Sequence, residues 1–203
     1  MIILGLTGSI GMGKTATASM FAQAGIPVYD ADAAVHALYE TGGAAVGPLF
    51  ERFGDILKQG AVDRAALRAK VVDNPDAMKD LEAIVHPLVG QSQMTFRQEA
   101  LESGAKVAVL DIPLLYETGG DARCDCVAVV TAPAEIQRTR VLMRGEMTEQ
   151  QFERIRDKQM PDADKRAMAD FVISTAFGFD FTRAHVHAII ELLNEMASDE
   201  THE

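Results

Sequence analysis

The segment Gly8-Ser-Ile-Gly-Met-Gly-Lys14-Thr15 constrains this chain more than any other stretch of it. It satisfies the spacing Gly-x4-Gly-Lys-[Ser/Thr], and its setting fits as well. Before it runs Ile2-Ile-Leu-Gly-Leu-Thr7, an apolar run suited to a strand buried on both faces of a parallel sheet. After it a helix is expected to about Gln23, stopped by Gly25 and Pro27. The chemistry accounts for the residue types. Gly8, Gly11 and Gly13 let the main chain turn, so that its N–H groups, those of Met12 and Ala16 included, face phosphate oxygens. The helix N-terminus adds positive dipole. Lys14 reaches the β- and γ-phosphates, and the Thr15 hydroxyl is placed to ligate Mg²⁺. A nucleoside triphosphate with Mg²⁺ is therefore the expected ligand. The guanine-specifying pattern Asn-Lys-x-Asp is absent, since neither Asn74 nor Asn194 precedes a lysine, which argues against a GTPase switch.

Further strands are expected at 27–30, 106–111, 126–131 and 170–174, and helices at 134–144, 148–160 and about 180–197. Strands separated by helices predict an α/β fold with a mainly parallel sheet. Residues 31–103 read as almost all helical. Asp63 and Asn74 look like helix N-caps, with Pro75 at a first helical position and a break at His86-Pro87. That block is too long for one crossover. It divides the single domain of 203 residues into a core (about 1–32, 104–137 and 168–203), a helical insertion (33–103) and a cation-rich segment (138–167). The tail 198–203 is polar and expected to fray.

Composition excludes several classes. A net charge of −11 argues against broad binding to nucleic acid or anionic membranes. No apolar run is long enough to cross a bilayer, and the N-terminus lacks the flanks of a signal peptide, so a cytoplasmic protein is expected. Cys124 and Cys126 are too few for a disulfide scaffold or a zinc site and are expected to be reduced. His185 and His187 lie about 200° apart on a helix and cannot share a metal. His36 and His202 have no partner pattern, and the methionines read as core filler. Neither a monomer nor a small homo-oligomer is singled out. The cations are uneven, however: Arg138, Arg140, Arg144, Arg154, Arg156, Lys158, Lys165 and Arg166 crowd one short stretch, as if to hold something anionic.

Two acidic positions follow expected strands. Asp30-Ala-Asp32 comes directly after 27–30, and parallel sheets place ligands at the carboxyl ends of their strands. One of these carboxylates could accept a proton from an acceptor hydroxyl; equally, one could simply cap the helix beginning near Ala33. Asp111 ends a strand after Val-Ala-Val-Leu, as in the second metal-holding element of phosphate-loop enzymes, and is expected to hold Mg²⁺.

Taken together, the Gly8–Thr15 loop, Asp30-Ala-Asp32, His86-Pro87, Asp111-Ile-Pro-Leu-Leu-Tyr-Glu117 and Gln159-Met-Pro…Asp164-Lys-Arg-Ala…Asp170-Phe-Val-Ile173 resemble the dephospho-coenzyme A kinase family, over nearly the whole chain and in its order. The resemblance implies a three-layer P-loop kinase fold with a five-stranded sheet, a helical acceptor subdomain and an Arg-rich lid. It implies transfer of the ATP γ-phosphoryl group to the ribose 3′-hydroxyl of dephospho-coenzyme A. Carried over by position, Asp32 is the catalytic base. His86, Pro113, Leu114, Leu115 and Glu117 fall at acceptor-side positions. Arg140 and Arg144, four apart and so on one helix face, fall in the lid, where an arginine fork would neutralise charge on the transferring oxygens. The bland alternative for that stretch is a solvated face with intrahelical pairs such as Glu149–Arg154.

The chain departs from the family pattern at Ser9, at Gly145, and at Ser174-Thr-Ala-Phe-Gly-Phe179, where the family often has a polar, glycine-rich loop near the adenine. Rival readings are a kinase for a nucleoside monophosphate or shikimate, and a nucleotide-dependent switch without catalysis.

Overall fold

The computed structural model describes residues 1–199. The expected frayed tail lies outside the described residues from 200 onward, as does His202. Strand β1 (Ile2–Thr7) leads into helix α1 (Lys14–Gln23), followed by β2 (Val28–Asp30). Helices α2 (Ala31–Tyr39), α3 (Val46–Phe53), α4 (Arg64–Val71) and α5 (Pro75–Glu102) come next, with a short hairpin, β3 (Leu57–Lys58) and β4 (Ala61–Val62), between α3 and α4. Then follow β5 (Val107–Asp111), β6 (Cys126–Thr131), α6 (Ala134–Met143), α7 (Glu149–Arg156), α8 (Asp162–Met168), β7 (Phe171–Ser174) and α9 (Phe179–Asp199).

The chain divides into two compact units, residues 1–29 with 100–203, and residues 30–99. The first is built on a five-stranded sheet of order β2-β5-β1-β6-β7. β1 pairs in parallel with β5 (Ile2 with Val107 through Leu6 with Asp111) and with β6 (Leu4 with Cys126 through Thr7 with Val129), and β6 with β7. Alternation of side chains makes three layers. Ile2, Leu4 and Leu6, with Val107, Val109, Ala128 and Val130, face a cluster that holds Phe21 of α1 and Val186, Ile189 and Leu193 of α9. Val127 and Val129 point the other way, against Leu115, Tyr116 and Met160. Because β1 is covered on both sides, it contains no polar residue before Thr7, as its sequence anticipated.

The second unit packs Leu49 and Phe53 of α3, Ile56, Val62 of β4, Leu67 and Val71 of α4 and Val85 of α5 around one apolar centre. Asp63 caps α4 by accepting from the Ala65 and Ala66 N–H groups at 2.9 and 3.1 Å, and Asn74 caps α5 through the Ala77 N–H at 3.1 Å. Two expectations fail here. The block is not all helical: β3 and β4 pair antiparallel across a two-residue turn whose Gln59 and Gly60 both have positive φ (54° and 84°). A glutamine rarely takes that conformation, so the usual turn signal was missing. Nor does α5 break at Pro87, which sits inside a continuous 28-residue helix. Further along, the helix expected over 148–160 ends at Arg156, and a separate helix, α8, follows.

Candidate active site

The glycine loop joins β1 to α1 in the first unit. Gly13 is the N-cap of α1, with φ 97° and ψ 16°, and no side chain caps the helix. The amides of the first turn thus have no side-chain acceptor, an arrangement suited to an anion. Gly11 also has a left-handed φ of 77°, and a Cβ there would meet Val141 Cγ2 at 2.5 Å; a Cβ on Gly8 would meet the Val130 carbonyl at 2.6 Å.

Three side chains to which sequence reading had given no role brace this loop. Gln159 Oε1 accepts from the Ile10 N–H at 3.0 Å, and Gln137 Nε2 donates to the Ile10 carbonyl at 2.7 Å. The Thr175 hydroxyl donates to the Met12 carbonyl at 2.7 Å. Thr175 directly follows β7, at the carboxyl end of a parallel strand, and Gln159 heads a family-like segment, whereas Gln137 carried no signal. Met12 is buried, and its sulfur accepts from the Ala132 N–H at 3.1 Å.

Lys14 Nζ lies 2.5 Å from Asp111 Oδ1, and the Asp111 side chain is 5% exposed. Register explains the meeting. Asp111 pairs with Leu6, so it ends β5 beside the start of the loop. Thr15 is exposed on the first turn of α1, and Ala16 follows it. The Thr15 hydroxyl and the Asp111 carboxylate are oxygen donors of the kind Mg²⁺ takes, an ion that keeps several waters and draws much of its shell from phosphates. No group of three or more His, Cys, Asp or Glu side chains poised for a metal occurs among the described residues. A dedicated protein cage is thus not what this site offers.

The cation-rich stretch is largely spoken for by the protein itself. Arg138 pairs with Glu149 at 2.5 Å, Arg156 with Asp157 at 2.9 Å, Lys165 with Glu117 at 2.8 Å and Arg166 with Asp162 at 2.8 Å. The Glu149–Arg154 pair is replaced by Glu149–Arg138, a tie from α6 to α7 rather than within one helix. Arg140 donates both to the Thr175 hydroxyl and to the Thr175 carbonyl at 2.7 Å, so its guanidinium is fixed against the residue that holds Met12. Arg144, at the C-cap of α6, is exposed. Arg140 and Arg144 line a cavity of about 260 Å³ with Gly13, Ala16, Thr175, Phe179 and Thr182.

On the expected acceptor side, Pro113 is half-buried and its carbonyl accepts from the Thr7 hydroxyl at 3.0 Å, while Leu114 is exposed. Leu115 departs from expectation. It is wholly buried, clustered with Tyr116, Val127 and Val129, because the turn after β5 directs it onto the sheet rather than outward. Glu117 accepts from the Met160 N–H at 2.9 Å as well as pairing with Lys165. Burial alone would raise its carboxyl, but Lys165 and the Met160 amide together hold it below the ordinary value.

Asp30, Asp32 and His86 belong to the second unit. Asp30 answers the question its spacing left open: it is the N-cap of α2 and accepts from the Ala33 N–H at 2.9 Å, and the helix begins at Ala31, two residues earlier than expected. Asp32, in the first turn, is exposed, and so is His86 on α5.

A sheet of this order, with an uncapped glycine loop between its central strand and first helix and a lysine paired to the aspartate of the neighbouring strand, defines a P-loop kinase. A profile of the family described as CoaE, dephospho-CoA kinase, matches residues 2–178. A dephospho-CoA kinase from Rhodopseudomonas palustris is 52% identical over 196 residues, covering 97% of this chain and 98% of that one. A crystal structure from Thermus thermophilus superposes with a TM-score of 0.80 at 31% identity, over 94% of this chain and 96% of the other. A dephospho-CoA kinase from Campylobacter jejuni shares the fold at a TM-score of 0.71 and 23% identity, over 95% and 97%. The chain belongs to the dephospho-CoA kinase family.

Proposed function

We propose that this chain transfers the γ-phosphoryl group of ATP to the ribose 3′-hydroxyl of dephospho-coenzyme A, yielding coenzyme A and ADP, the last step of coenzyme A synthesis. The observation that carries the donor half is the uncapped N-terminus of α1 behind Gly13, whose first-turn amides and Lys14 are suited to the triphosphate. Lys14 would exchange its Asp111 partner for phosphate oxygens. Thr15 and Asp111 would hold Mg²⁺, which neutralises charge building on the phosphate oxygens.

On the acceptor side, Asp32 takes the proton of the 3′-hydroxyl as its oxygen bonds to the γ-phosphorus and the bond to the bridging oxygen of ADP breaks. Asp32 suits this role better than Asp30, because Asp30 is spent on the α2 cap whereas Asp32, two residues on, stands exposed in the first turn. His86, Pro113 and Leu114 are assigned to acceptor recognition, and Glu117 to holding the segment around Met160 and Lys165. Arg144 and Arg140 complement the transition-state charge and, with residues 138–167 acting as a lid, exclude water. No helix among the described residues is long and apolar enough to cross a membrane. A cytoplasmic enzyme needing no nucleic-acid or membrane partner fits this reading.

The test supplies purified protein with ATP labelled on the γ-phosphate and dephospho-coenzyme A. One labelled 3′-phosphate per ADP is expected, with none on adenosine monophosphate or shikimate. Nucleotide binding without acceptor-dependent transfer would turn the reading into that of a switch.

A further inference from the structure

The Arg140–Arg144 cavity adjoins the phosphate-binding loop, being lined by Gly13 of the loop, Ala16 of α1 and Thr175, Gly178 and Phe179 from the segment after β7. Its lining is chemically unusual for base reading. It includes no carboxylate and no side-chain amide. Its hydroxyls have each given away their single proton: Thr17 to the Gly13 carbonyl at 3.1 Å, Thr175 to the Met12 carbonyl at 2.7 Å, and Thr182 to the Gly178 carbonyl at 3.0 Å. Arg140 is fixed by its two bonds to Thr175, and the exposed Arg144 has only N–H donors to offer, whose shared purine target, N7, is the same on adenine, guanine and hypoxanthine. What the cavity does offer is faces. Phe179, which opens α9 after Gly178 (φ 93°), lines it while remaining 68% exposed. The neighbouring rings are occupied with one another, Phe177 edge-on to Phe181 at 5.0 Å and Phe181 against His185 at 4.4 Å. Phe179 has no ring partner among the described residues.

We propose that this pocket holds the donor base by stacking on Phe179, with no side chain telling one purine edge from another, so that GTP and ITP as well as ATP serve as phosphoryl donors. The proposal rests on the reading above, in which the loop holds the triphosphate, and takes this adjoining cavity as the place of the base. A pocket without committed edge partners discriminates weakly between purines, because no buried side-chain group is left unpaired by the wrong one. Pyrimidines bind less well, having less ring to stack.

Binding is measured without acceptor, by displacing an ATP analogue that carries its fluorophore on the ribose. GTP and ITP are expected to displace it at concentrations within about thirtyfold of ATP, and CTP only at higher ones. Phe179→Ala is expected to weaken ATP and GTP alike by about fivefold or more, and Phe179→Tyr to restore both. Since Phe179 is mostly exposed, its truncation does not threaten the core, and circular dichroism verifies folding. GTP weaker than ATP by more than about thirtyfold, or Phe179→Ala binding ATP as the unaltered chain does, would overturn the proposal. Transfer is then assayed with dephospho-coenzyme A and each donor. Binding of all purines with no transfer from any donor would sink the kinase reading and leave the stacking pocket standing.

Discussion

Lys165 Nζ lies 2.8 Å from a carboxylate oxygen of Glu117, and the lysine side chain is completely buried. The pair ties α8 to the turn after β5, and through the Met160 amide the same carboxylate holds the segment between α7 and α8. A buried cation left without its carboxylate is costly. Glu117→Gln is expected to lower stability by about 3 kcal/mol, and Lys165→Met by less, since the apolar replacement needs no partner and the remaining carboxylate is partly exposed. Denaturant unfolding of both variants checks the order.

The same carboxylate gives a pH dependence of definite sign. Glu117 is held below its ordinary value of 4.5 in the folded chain. A lowered folded-state value means that the folded chain holds its proton less tightly than the unfolded one. Its stabilising contribution is therefore complete above the ordinary value and is lost as pH falls through the lowered one. The stability gap between the unaltered chain and Glu117→Gln is expected to be constant near neutrality and to shrink below about pH 4.5. Urea titrations at a series of pH values measure it; a gap that widens on acidification would contradict the assignment.

Lys14 has two duties, to Asp111 in this structure and, as proposed, to phosphate in the nucleotide complex. Lys14→Met is expected to lower transfer on the order of a hundredfold or more, and also to destabilise the fold by removing the cation beside the buried Asp111. Adding Asp111→Asn to Lys14→Met removes the buried negative charge. The double variant is expected to regain part of the lost stability and none of the lost activity. Thermal melts and transfer assays on the same preparations separate the two effects.

The parallel sheet was readable from the chain because its three inner strands, β1, β5 and β6, are buried on both faces and so appear as unbroken apolar runs. All five were anticipated to within a residue at each end, from Ile2–Thr7 to Phe171–Ser174. Capping residues with one dominant use, Asp63 and Asn74, were equally plain. What escaped was decided by tertiary packing or by rare backbone states. The hairpin turns on Gln59 in a left-handed conformation, and α5 carries Pro87 through its interior because its apolar face is anchored on both sides of that proline. At the site, the loop and its lysine announce themselves through spacing. The braces that hold the loop, Gln137, Gln159 and Thr175, come from distant segments, so nothing local in their sequence shows that the loop is what they hold.

The loop glycines differ in what they must avoid. Gly11 combines a φ of 77° with a would-be Cβ at 2.5 Å from Val141 Cγ2 and 3.0 Å from the Gln137 carbonyl. Gly25 has a similar φ of 83° but nothing within 4 Å. Gly25→Ala is expected to cost about 1 kcal/mol, the penalty of a left-handed alanine alone. Gly11→Ala is expected to cost about 3 kcal/mol and to weaken nucleotide binding, because the loop must shift off α6 to make room. Equal losses at the two positions would mean that the contact with α6 does not constrain the loop.

Asp30 and Asp32 share a chain segment and a charge but, in the proposed reading, not a task. Asp30 accepts the Ala33 N–H as the cap of α2, whereas Asp32 stands exposed in the turn that follows. Asp30→Ala is expected to lower stability by about 1 kcal/mol, the usual cost of losing a cap, with transfer reduced only modestly. Asp32→Asn keeps the shape and removes the proton acceptor, so stability and ATP affinity are expected to hold while the transfer rate falls on the order of a hundredfold or more. Chemical denaturation, ATP binding and single-turnover transfer on both variants decide the matter. If Asp32→Asn still transfers at an undiminished rate, the base lies elsewhere; if it instead melts as Asp30→Ala does, the second carboxylate is structural too.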